Sequence, residues 1–99
     1  MSDVDLSRAL ILFLGFGRQA FPAADEAAVI DVFGAKHAAG LLEGVRAILA
    51  DLRALPIEWS RHDLSSAARW ARQEMRPRYP GLSEPALSAL EWKFTFDWR

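Results

Sequence analysis

From Lys36 to Leu55 the chain runs for twenty residues without a proline, and its large apolar side chains recur at Leu41, Val45, Ile48, Leu52 and Leu55. At ~100° per residue of helix these five fall within an arc of roughly 80°, with Leu42 and Leu49 on its flanks. The stretch therefore predicts an amphipathic helix about 30 Å long whose stripe must be covered. Gly40, Gly44 and Ala47 border the stripe, so a covering helix can approach closely, and Pro56 ends the run.

The rest of the chain supplies suitable covers. There are 17 Ala and 13 Leu against 9 Val, Ile and Thr together, a bias towards helix formers. The fold expected is all-α, a compact bundle of four to five short helices in one domain over residues 1–99. A chain of this length buries roughly 60–68% of its unfolded surface, enough for one modest core without disulfides or metal. The first helix should run from about Asp5 to Phe13–Gly15, with Leu6, Leu10 and Phe13–Leu14 on one face and Gly15 and Gly17 as a stop. The second covers about Ala24–Phe33, with Asp25 and Glu26 in its first turn and Gly34 at its end. A fourth starts from a cap at Ser60 or Asp63 and reaches about Met75–Arg76, where Pro77 and Pro80 should stop it. Ser83 caps a last helix, with Glu84 and Pro85 in its first turn.

The C-terminal segment admits two structures. Trp92, Phe94, Phe96 and Trp98 alternate with Lys93, Thr95 and Asp97, as in a strand with one apolar face. An α+β alternative follows, with 92–98 paired to a strand near 10–16 or 57–59. Nothing after Ser83 breaks a helix, however, and on a helix Leu87, Leu90, Phe94 and Trp98 form a stripe within roughly 80°. Helix is the favoured expectation. It divides the aromatics: Phe94 and Trp98 go to the core, and Trp92 and Phe96 lie on nearly the opposite side.

Six residues are candidates for contact with a partner: Arg69, Arg72, Arg76, Arg78, Trp92 and Phe96. Trp92 and Phe96, if exposed, are the aromatic anchors that interfaces favour; otherwise a loop covers them or the helix is buried on both sides. Arg69, Arg72 and Arg76 fall within roughly 60° on their helix. Residues 61–78 hold five Arg against Asp63 and Glu74, a net of +3, while the remainder has seven basic and eleven acidic residues, a net of -4, which together give the overall -1. Guanidinium forks suit carboxylates or phosphates, unless the chain's own acids neutralise them.

Other chemistries lack a basis in the residues. The chain has no cysteine, which excludes thiolate metal sites and a cysteine nucleophile. His37 and His62 stand alone, without ligand spacing, so no metal or cofactor is expected. Gly15 and Gly17 form only an incomplete glycine motif, and no hydrolase or phosphate-loop pattern occurs. The helix–Gly34–helix element would present Lys36 and His37 as its only groove-reading side chains, too few for DNA recognition. Asp3 and Asp5 are unlike a secretory leader, and the apolar run 9–16 is far short of the ~20 residues that span a bilayer, so a cytoplasmic location without membrane contact is expected.

These features favour a non-enzymatic module that binds an acidic or apolar surface of another protein, in the manner of a bacterial immunity, antitoxin-like or adaptor protein. One alternative is a homodimer closed by Trp92 and Phe96. The other is a nucleic-acid-binding regulator using the Arg-rich helix 61–78; nucleic acid is the less expected partner, because the acidic remainder repels phosphate.

Overall fold

The computed structural model describes residues 3–98 and contains five α-helices among them: α1 (Asp3–Leu14), α2 (Glu26–Phe33), α3 (Ala35–Arg53), α4 (Leu64–Arg78) and α5 (Glu84–Asp97). The all-α bundle is therefore the fold. No strand occurs among the described residues, and 92–97 continues α5, so the α+β alternative is set aside. The local reason is the cap. Ser83 accepts the Ala86 N–H at 3.2 Å, with Pro85 in the first turn, and no later residue interrupts the helical ladder.

Caps mark the other starts too. Asp25 is the N-cap of α2 rather than a first-turn residue, and its carboxylate accepts the Ala28 N–H at 3.1 Å. Gly34, at φ +82°, both closes α2 and opens α3, a conformation that L side chains adopt at a cost. At α4, Asp63 accepts the Ser66 N–H at 2.8 Å while the Ser66 hydroxyl takes the Asp63 N–H, a reciprocal cap.

Pro77 does not stop α4. The helix runs on to Arg78, and the Tyr79 N–H still reaches the Met75 carbonyl at 3.0 Å. Pro77 removes only its own bond in the last turn. The stop comes from Pro80, whose ring disfavours the helical region for Tyr79, found at φ -133° and ψ 69°.

The stripe of α3 meets α1, α2 and α5, and α1 also packs on α2 and α5. Leu41, Val45 and Ile48 of α3, Leu10 and Leu14 of α1, Val29 of α2, and Leu87, Leu90 and Phe94 of α5 are all shielded from water. The buried Ser7 hydroxyl accepts the Ser83 N–H at 2.9 Å and so fixes the start of α5 on α1. By contrast α4 is carried almost entirely on the outer side of α5, through Ala67, Ala68, Ala71 and Met75. Met75 is fully buried but the three alanines bury little area, so polar ties add to the attachment of α4. One is the Tyr79 hydroxyl, which donates to Asp51 of α3; burial first, then that bond, pushes the phenol up to about 12.

Candidate functional site

The site begins with the way α1 ends. Gly15, at φ +76°, lets the chain turn back, and every carbonyl of the last helical turn finds a donor. Ile11 receives the Gly15 and Phe16 N–H groups, Leu12 the Arg18 guanidinium, Phe13 the Asp25 N–H and Leu14 the Ala23 N–H. The loop 15–25 is thus pinned to α1 at several points, and it carries two aromatic rings to α5. Phe16 lies 5.4 Å from Trp92 between ring centroids, and Phe21 meets Phe96 edge-on at 5.5 Å.

Trp92 and Phe96 are accordingly half-buried, covered by this loop. Sequence reasoning places them on the side of α5 away from the core stripe, which is where they are. Cover by a loop is one of the alternatives it names, but it does not say which loop, because Phe16 and Phe21 lie in a segment without periodicity. The core assignment of Trp98 is corrected: Phe94 is 1% exposed, whereas Trp98, at the helix end, is 43% exposed and rests against Trp59 at 5.5 Å. An alanine at Gly15 forces positive φ on an L residue and brings its Cβ to 2.4 Å from the Gln19 Cγ. Gly15→Ala should lower stability by about 1–2 kcal/mol and, by shifting Phe16, alter Trp92 fluorescence; calorimetry and emission spectra check both.

The four arginines do not form one free cationic face. Arg72 reaches across to α5, donating to Glu84 at 2.7 Å, Ser88 at 2.8 Å and Glu91 at 3.2 Å, and its side chain is only 21% exposed. Arg76 forks onto both carboxylate oxygens of Glu84. Bonds from Arg76, then Arg72, push the Glu84 carboxyl down to about 2 from an ordinary 4.5, and Glu84 in turn raises Arg76. These groups clamp α4 to α5. The acids that do so, Glu84 and Glu91, share a side of α5 with Ser88, a pattern that a helical wheel of 84–97 contains. Arg78, about 180° around the helix from Arg69 at ~100° per residue, stands apart beside Tyr79.

The clamp gives a pH signature. The unfolded chain binds a proton at Glu84 near 4.5 and the folded chain only near 2. Its contribution is complete above about 4.5 and is lost as the pH falls through about 2. Urea midpoints measured across that interval should fall further for the wild type than for Glu84→Gln.

Arg69 is different. It is exposed and makes no ion pair among the described residues. It lies at a groove of about 420 Å³ between α4 and α5, with Ser65 and Ala68 beside it and Ser88, Glu91, Trp92 and Thr95 opposite; Phe16 closes the aromatic side. The Glu91 carboxylate is held by Arg72, whereas Arg69 makes no salt bridge and only helps, from a distance, to hold the Asp63 carboxyl low. Two of the six candidate residues, Arg69 and Trp92, therefore meet in one cleft. Phe96 is turned to Phe21, and Arg72 and Arg76 are engaged within the fold.

The histidines serve local contacts. His37 lies 3.2 Å from Asp5, joining α3 to α1, and the His62 ring lies 3.1 Å from the Ser66 hydroxyl. Among the described residues no three His, Cys, Asp or Glu side chains are placed to hold a metal ion, and no helix is long and apolar enough to cross a membrane. No family model, curated protein or solved structure matches the chain.

Proposed function

We propose that this chain is a small non-enzymatic protein-interaction module of the adaptor kind, and that the groove between α4 and α5 is its docking face. The observation that carries the proposal is Arg69, an exposed guanidinium without a salt bridge at a cleft whose other wall is the Phe16–Trp92 pair. Interfaces of this type combine an aromatic anchor with a cation that selects an acidic surface. The other arginines contribute less to recognition, since Glu84 and Glu91 already neutralise Arg72 and Arg76. That neutralisation also weakens the case for nucleic acid, where free cations supply most of the affinity. Homodimerisation through Trp92 and Phe96 loses its motive, because Phe16 and Phe21 already pack on them.

Site-directed cross-linking in the native host tests the docking face. A photoreactive residue at Ser65, on the groove, should capture a discrete protein partner, and the same group at Arg53 on α3 should not. Equal capture at the two positions, or capture of the same chain alone at Ser65, contradicts the proposal.

A further inference from the structure

The walls of the groove limit what can dock there. Both are flanks of α-helices, whose backbone groups bond along the helix axis and present no open edge sideways. The Thr95 hydroxyl, which lines the cleft, already donates its proton to the Glu91 carbonyl at 3.0 Å. An extended peptide laid here would find no backbone edge to pair with and would leave its own peptide groups short of partners. A helix satisfies its backbone internally and offers only side chains, which is what the groove can read. The two walls also differ in chemistry. The α4 wall carries the exposed Arg69, and the α5 wall carries Trp92, backed by Phe16.

We infer that the partner element is an acidic amphipathic helix, seated with its apolar stripe against Trp92, Phe16 and Ala68 and with a carboxylate along one edge of that stripe on Arg69. This rests on the groove being the docking face. Ala68, almost fully shielded at the base of the cleft, presents only a methyl group, so the incoming helix can lie between α4 and α5 in ridge-and-groove fashion. A volume of about 420 Å³ is enough for the few large side chains of such a stripe. Charge complementarity sets the orientation: a carboxylate turned to the α5 side would face Glu91, and one turned to α4 meets Arg69.

The test uses the full chain and a displayed library of alanine-based helical peptides, about four turns long, with one stripe and its two edges randomised. Selected peptides should carry Leu, Ile, Phe or Trp on the stripe and Asp or Glu on one edge only. Anisotropy titrations of a selected peptide should show binding weakened about tenfold by Arg69→Glu and largely restored when the peptide's acid is changed to Lys. Selection of acid-free peptides, failure of the charge exchange, or a library that yields no binder overturns the inference. The docking face is judged separately: a partner cross-linked at Ser65 through an extended or acid-free segment keeps the groove and removes the helix.

Discussion

Phe94→Ala should lower the stability of the chain by about 3–5 kcal/mol, the largest loss expected from any single change to α5. The ring is 1% exposed and stacks near Trp59 at 6.4 Å, on the face of α5 that Leu87 and Leu90 also bury. Its removal leaves a cavity that a core of five short helices can fill only by shifting α5, which also supports α4. Domains of this size hold about 5–15 kcal/mol in all, so the variant should be close to unfolding at 37 °C. Trp98→Ala should cost under about 1 kcal/mol, since that side chain is 43% exposed. Urea unfolding followed by far-ultraviolet dichroism separates the two. Equal losses at both positions contradict the placement of Trp98 at the rim.

Arg72→Ala should cost about 1–3 kcal/mol, and Arg69→Ala within about 0.5 kcal/mol, although both lie on the same face of α4. Arg72 is mostly shielded and serves Glu84, Ser88 and Glu91 together; without it the half-buried Glu91 carboxylate has lost its cation. Because α4 meets the bundle mainly on α5, through Met75 and three small alanines, the loss should appear first as fraying of α4. Amide exchange across residues 64–78 should accelerate in Arg72→Ala while exchange in α3 stays slow. Uniform acceleration throughout the chain contradicts a clamp confined to α4 and α5.

Local rules suffice for the helices: the α3 stripe, the Ser83 cap and the Gly34 break are visible in short windows, and each appears in the fold. Pro77 is misjudged because a proline in a last turn loses a single bond, and the following Pro80 supplies the stop. Periodicity assigns Phe94 and Trp98 to one stripe but cannot say where the neighbouring helices end. The helix end decides that Trp98 sits at the rim.

The candidate site is legible in the same partial way. A wheel shows that Arg69, Arg72 and Arg76 are aligned, and that Trp92 and Phe96 oppose the core. It does not show that Glu84 and Glu91, distant in sequence from the arginines, meet Arg72 and Arg76 and leave Arg69 apart. Nor does it place Phe16 on Trp92, because that contact depends on a loop folded back by four carbonyls at the end of α1. Tertiary pairings of this kind carry no short-range signal.

The central claim is that Arg69 faces a partner and not the fold. Affinity capture from the native host, with the wild type and Arg69→Glu compared quantitatively after both are shown to unfold at the same urea concentration, tests it most directly. Equal stability is expected, with a protein partner retained by the wild type and by the control Arg53→Glu and lost from Arg69→Glu. A partner recovered from Arg69→Glu at the wild-type level contradicts the account.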